Sequence, residues 1–161
     1  MKKVFLTIAL LLTTMVASAQ FYVGGGLDFT KHGDLTSINV KPEVGYKLAE
    51  AWTVGAEVDF GWVKDGDTTL ALTPYARYTA LTAGEFSLFA EAYVTVKTID
   101  DEGFGLGIRP VVAYNFTENW TIAAKLGDGL HFQDKKMAGY DESKFGLDLA
   151  NNLSFSLYYN F

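Results

Sequence analysis

The stretch Thr36-Ser-Ile-Asn-Val-Lys-Pro-Glu-Val-Gly-Tyr-Lys-Leu48 decides the fold. Its even positions are Ile38, Val40, Pro42, Val44, Tyr46 and Leu48. Its odd positions are Ser37, Asn39, Lys41, Glu43, Gly45 and Lys47. Successive side chains of a β-strand point to opposite faces, so this alternation predicts a strand with one apolar and one polar face.

The same period of two recurs on both sides of that stretch. Trp52 to Trp62, Leu70 to Tyr78, Phe86 to Val96, Leu106 to Phe116 and Trp120 to Leu126 all carry most of their bulky apolar residues at even positions. Phe21 to Phe29 and Leu153 to Phe161 carry them at odd positions. Eight strands result. An internal repeat, P-x-[VA]-x-Y, occurs at Pro42–Tyr46, Pro74–Tyr78 and Pro110–Tyr114 with prolines 32 and 36 residues apart. That spacing is what two strands of about ten residues, a tight turn and a loop consume, so each repeat marks one hairpin. Prolines are normally kept out of strand interiors, so these three mark a fixed structural site. The connections alternate as well. Ala49–Ala51, Leu81–Glu85 and Thr117–Asn119 are short, whereas Lys31–Leu35, Val63–Asp67, Lys97–Glu102 and above all Gly127–Gly146 are longer and polar.

The chain begins with Lys2 and Lys3, an apolar run from Val4 to Val16, and Ala17-Ser18-Ala19. A charged start, a run short of the roughly 20 apolar residues of a spanning helix, and small residues at a cleavage point predict a secretory signal peptide over residues 1–19. Residues 20–161 then form one domain. Cleavage would remove two of thirteen basic residues and none of nineteen acidic ones, leaving eleven against nineteen, a net charge of −8. Such acidity excludes a nucleic-acid partner, which needs clustered Lys and Arg. With no cysteine in the chain, disulfides, thiolate catalysis, cysteine-based zinc sites and N-terminal lipidation are excluded too.

Which face turns inward follows from volume. A closed eight-stranded barrel has an interior that side chains just fill. The Trp, Tyr, Phe, Leu, Ile and Val of the apolar face are too many and too large for it, while the Gly, Ala, Ser and Thr of the polar face fit. The apolar face therefore points at lipid, where a closed sheet leaves no backbone group unpaired. The fold expected is all-β: an eight-stranded antiparallel up-and-down transmembrane barrel in the bacterial outer membrane, reached through the periplasm. Tyr46, Tyr78 and Tyr114 end three strands, and Trp52, Phe86 and Trp120 begin the next, which predicts an interfacial aromatic girdle. Phe29, Phe60, Trp62 and Phe104 are candidates for the opposite one.

The signal segment, the alternating strands and the ending Phe155-Ser-Leu-Tyr-Tyr-Asn-Phe161 resemble the small outer-membrane barrels of the OmpX and OmpA-transmembrane-domain type. The resemblance covers the whole mature chain. It implies that Tyr159 and Phe161 belong to a signal read by the barrel-assembly machinery. Outer-membrane lipid and lipopolysaccharide are the other partners expected of a monomeric barrel.

Several polar-face positions are ionisable. With Tyr46 opposite Trp52, Lys41 would face Glu57, and Glu91 would face Arg109. The expectation is a layer of Lys41, Glu57, Glu91, Arg109 and Lys125 across the middle of the barrel, with Glu43, Asp59 and Arg77 near it. Paired charges of this kind plug a lumen; a narrow porin-like channel is the alternative. A lipid A-modifying enzyme is the less favoured reading, because its candidates are only His32, with Asp34 and Ser37 close in sequence, and His131, with no serine nearby on its face. No catalytic residue, cofactor or metal site is assigned. Asp65-Gly66-Asp67 and Asp100-Asp101-Glu102 are read as hydrated loop tips. In the Gly127–Gly146 loop, Lys135, Lys136, Tyr140 and Lys144 form the expected contact surface.

Overall fold

A computed structural model describes residues 20–32, 35–63, 68–97, 103–134, 143–149 and 153–161. Residues 1–19 lie outside them, as do the acidic loop tips and Lys135, Lys136 and Tyr140. The described residues hold ten strand segments and no helix. These are β1 Phe21–His32, β2 Leu35–Lys47, β3 Trp52–Val63, β4 Thr68–Ala83, β5 Phe86–Lys97, β6 Gly103–Asn115, β7 Trp120–Lys125, β8 Gly129–Gln133, β9 Lys144–Asp148 and β10 Ser154–Asn160. Every pairing is antiparallel. The order β5-β4-β3-β2-β1-β10-β7-β6 closes on itself through β5–β6. Segments β7 and β8 are two lengths of one stave, and β9 and β10 two lengths of another, so the barrel has eight staves.

The alternation of the sequence becomes inside and outside. On β6, Leu106 and Ile108 are 46% and 56% exposed, while Val111 between the outward residues is 0%. Among the most deeply buried side chains are Lys125, Glu43 and Glu91, which reverses the arrangement of a water-soluble protein. Apolar side chains outside and paired polar ones inside are the arrangement that lipid selects.

Three expectations need correction. Tyr46 opposes Val54, not Trp52, because the N–H groups of Leu48 and Ala49 both donate to the Trp52 carbonyl and set the turn one residue later. Glu43 therefore faces Glu57, and Lys41 is displaced to Asp59, 3.4 Å away. The expected loop Gly127–Gly146 is also interrupted, since β8 lies within it and β9 begins inside it at Lys144. Gly127 and Gly129 both adopt φ of +63°. A left-handed glycine ends a pattern in sequence, yet here it makes a bulge from which the same stave continues. Opposite β6, Lys125 pairs with Val111 and Leu130 with Ile108, so this stave uses five residues where its neighbour uses three. The Leu81–Glu85 connection is likewise tighter than expected, since β4 runs to Ala83 past a bulge at Thr79–Leu81 and turns at Gly84 and Glu85.

The prolines acquire a meaning. Registered pairing between β2 and β3 skips Lys41 and Pro42, between β4 and β5 it skips Thr73 and Pro74, and between β6 and the bulged stave it skips Arg109 and Pro110. Proline has no N–H to give the ladder, so each repeat marks a break in it at an equivalent place.

Candidate functional site

The lumen is crossed by a network centred on Arg77. Its Nε donates to Glu91 Oε2 at 2.5 Å, its Nη2 to Glu43 Oε1 at 2.7 Å, and its Nη1 to the Tyr22 hydroxyl at 2.9 Å. Arg109 Nε donates to Glu91 Oε1 at 2.7 Å, and Lys125 Nζ to Glu43 Oε2 at 2.8 Å and to Glu57. The Tyr158 hydroxyl donates to Glu43 Oε2 at 3.0 Å. Three carboxylates, Glu43, Glu57 and Glu91, meet three cations, Arg77, Arg109 and Lys125. The layer is neutral as a whole, the condition under which buried charge is tolerable.

The register explains why these residues converge. Arg77 opposes Glu91, Glu91 opposes Arg109, and Glu43 opposes Glu57. The like-charged Glu43–Glu57 pair is bridged by Lys125, which reaches both from the far wall. Of the residues singled out in the sequence, Glu57, Glu91, Arg109 and Lys125 lie in this network. Lys41 does not; it stands apart with Asp59, and their side chains are 18% and 27% exposed. Arg77 and Glu43, expected only near the layer, are its centre.

Sequence reasoning missed the tyrosines. Tyr22 faces Gly45, Tyr75 faces Gly55, Tyr93 faces Gly107 and Tyr158 faces Gly24 across neighbouring strands. A Cβ on Gly45 or Gly55 would collide with the ring lying over it. Missing side chains thus let large rings lie along the wall and aim their hydroxyls inward. Tyr22 and Tyr75 hydroxyls bond each other, and the Arg77 guanidinium carbon sits 4.5 Å from the Tyr75 ring centre. The signal was legible in principle as a polar-face tyrosine beside a strand carrying polar-face glycine.

The network divides the lumen. On the short-turn side lies a cavity of about 540 Å³ whose lining includes Arg77, Tyr22 and Tyr158 together with Thr53, Ser87 and Thr121. On the long-loop side lies a smaller one of about 140 Å³, lined by Lys41, Asp59, Thr73, Tyr93, Thr95 and Arg109 among others. Lys41, Thr73 and Arg109 are the residues that precede the three repeat prolines. The repeat therefore builds this chamber.

On the outer surface the aromatic positions pair at the short-turn end. Trp52 and Tyr78 rings lie 5.1 Å apart, Phe86 and Tyr114 4.7 Å, and Trp120 and Tyr159 5.1 Å. Tyr46 stands opposite Phe21, and Phe161 packs 5.0 Å from Tyr159. Toward the other end Phe60 and Phe104 are exposed; the side chains of Phe29 and Trp62 lie outside the described residues. His131 is buried on β8, its Nδ1 3.2 Å from the Gly129 carbonyl. The His32 and Ser37 side chains and Asp34 lie outside the described residues. Among the described residues no cluster of His, Cys, Asp and Glu could hold a metal ion.

A family model described as "Putative MetA-pathway of phenol degradation" matches residues 7–142. No curated protein matches this chain.

Proposed function

The chain belongs to this phenol-degradation family, and from that premise we propose that it is an integral outer-membrane barrel with a plugged lumen, an anchor that presents its long loops rather than an open pore. One observation carries the reading: the Arg77 network spans the interior, with one cavity on either side of it. Its charges are matched three to three, so a permeant ion finds no uncompensated partner and would have to part pairs that stabilise one another. An interior this narrow leaves no aqueous channel in any case.

The exposed apolar band and its aromatic end support placement in the outer membrane, among lipid and lipopolysaccharide, as a monomer. The terminal aromatics Tyr159 and Phe161 and the likeness to OmpX-type and OmpA-type barrels fit insertion by the barrel-assembly machinery. We read the chain as non-catalytic. His131 is held against a main-chain carbonyl, and the lumen's carboxylates and cations are occupied with each other. Its part in phenol degradation, on this reading, lies at the envelope and not in ring chemistry.

Planar-bilayer recording of the purified barrel tests the plug. The expected result is a membrane that stays at baseline; steady, large openings would establish the narrow-pore alternative.

A further inference from the structure

The cavity between the Arg77 network and the short turns has a lining that the plug does not use. Phe89 is a phenylalanine on the polar face, registered between Thr79 on β4 and Val111 on β6. It packs against the buried cluster of Tyr22, Val111, Ala113 and Tyr158, yet it is only half-buried and lines the cavity as well. Apolar ring surface turned to a polar lumen is unfavourable and adds nothing to the charge pairing beneath it. Around the ring, Thr53, Thr79 and Ser87 bring hydroxyls that belong to no hydrogen bond of the Arg77 network. Asn115 and Thr121, joined by a hydrogen bond, add an amide and a further hydroxyl.

We infer that this vestibule is a binding site for a short, uncharged saccharide, one ring laid against Phe89 and its hydroxyls bonded to the surrounding Thr, Ser and Asn side chains. The lining sets the chemistry. A sugar ring has a C–H face that an aromatic ring covers and a perimeter of hydroxyls that both donate and accept, as do the Thr, Ser and Asn groups that meet it. A purely apolar ligand would leave those groups without partners, and an open-chain polyol would leave Phe89 uncovered. Volume sets the size: about 540 Å³ is the room of about eighteen waters at roughly 30 Å³ each, enough for about two sugar rings. Charge sets the sign. Arg77, at the floor, is occupied by Glu43 and Glu91. At the mouth each of the three short turns contributes one glutamate, Glu50, Glu85 and Glu118, against the single cation Lys47. An acidic sugar is repelled there. On the outer-membrane reading the short turns face the periplasm, so the sugar enters from that side.

The inference rests on the plugged-barrel reading, since the Arg77 network is the vestibule's floor. Saturation-transfer NMR on the full barrel, in a detergent without a sugar headgroup, tests it with cellobiose as the probe. Saturable binding on the order of millimolar is expected, as befits a small polar ligand. Sorbitol, which has hydroxyls and no ring, and cellobiouronic acid, which carries a carboxylate, should bind far less. Phe89→Leu keeps the apolar contact with the cluster and removes the ring; it should weaken cellobiose about fivefold, the worth of an aromatic contact, while heat-modifiable gel migration shows the barrel still closed. Replacing the three rim glutamates together (Glu50→Gln, Glu85→Gln and Glu118→Gln) should admit the uronic acid and leave cellobiose unchanged. Retention of the barrel on insoluble cellulose would mark a polymer end as the ligand, and binding of cellobiose alone a free sugar. A cellobiose signal no greater than in detergent alone, sorbitol binding equally well, or no change in the Phe89 variant would each overturn the site. Failure of the plug would show separately, as steady conductance of the unliganded barrel.

Discussion

The short-turn half of the barrel and the long-loop half follow different rules. In the short-turn half the eight staves are registered from Tyr22↔Asn160 at one seam to Phe86↔Tyr114 at another, with one single-residue bulge at Thr79–Leu81. The arginine network closes its inner end, and a cavity of about 540 Å³ lies between the network and the turns. Beyond it, the stave carrying β7 and β8 takes two extra residues at Gly127–Gly129, and the neighbouring stave uses six residues from Asp148 to Ser154 where its partner uses four. Among the described residues, β9 is registered only with β8, and the β1–β10 ladder stops at Leu27↔Phe155. One half is a regular cylinder closed at its inner end by charge. The other is a less regular wall around a small chamber. The difference teaches that charge pairing, not the sheet alone, is what closes the cylinder across its middle, and it can be broken at either end.

The largest effect should come from Arg77→Met. This removes the cation shared by Glu43 and Glu91 and leaves buried carboxylates short of a partner. Breaking one member of a buried set costs about 3–5 kcal/mol. Lys41→Met, in the looser half, removes one member of a partly exposed pair and should cost less than about 1 kcal/mol. Urea titration of the two variants in lipid vesicles, followed by heat-modifiable migration, compares them directly. Equal losses would mean that the network carries no special share of the stability.

Next in size is the cost of placing charge on the outer wall. Ile108 lies six residues from the girdle residue Tyr114 and four from Phe104, near the middle of the exposed band. Ile108→Arg should destabilise by about 2–4 kcal/mol in a bilayer, while Phe104→Arg, at the band's end, should cost about 1 kcal/mol or less from charge alone. The same urea titration reads both. A flat response along β6 would mean that the band is not in lipid.

How much of this the sequence disclosed depended on which half was being read. Period-two alternation is a local property and it survives wherever the ladder is unbroken, so strands, faces, the Glu91–Arg109 pairing and the aromatic ends of the staves could be read from single residues. Register across a turn is not local. A two-residue change of pairing across Leu48–Trp52 moved Lys41 from Glu57 to Asp59 while keeping it on the same face, and no side-chain pattern near that turn announces it. The glycine bulge was misread for a related reason: Gly127 and Gly129 interrupt alternation just as a loop does, and only pairing with β6 shows that the stave resumes. The tyrosines lay on the polar face in plain view. Their hydroxyls, however, find partners as far away as Arg77 from Tyr158, a contact that exists only once the sheet has closed.

The smallest effect contrasts two glycines with nearly the same backbone. Gly84, in the β4–β5 turn of the regular half, has φ of +59° and nothing within 4 Å of where a Cβ would stand. Gly129, at the bulge, has φ of +63°, and a Cβ there would run into the Ile108 carbonyl and would lie 2.6 Å from the Arg109 Cα on β6. Gly84→Ala should therefore cost only the left-handed conformation itself, about 1–2 kcal/mol. Gly129→Ala must add the displacement of a backbone that has no side chain to rotate away, so it should exceed Gly84→Ala by about 1 kcal/mol or more. It should also loosen the Tyr93–Asp128 bond one residue away. Hydrogen exchange on β6 and β8 would register that loosening as faster exchange confined to residues 105–108 and 129–133. If the two variants lost equal stability and exchange stayed uniform, the bulge would be an incidental kink, and the two halves would differ in shape alone.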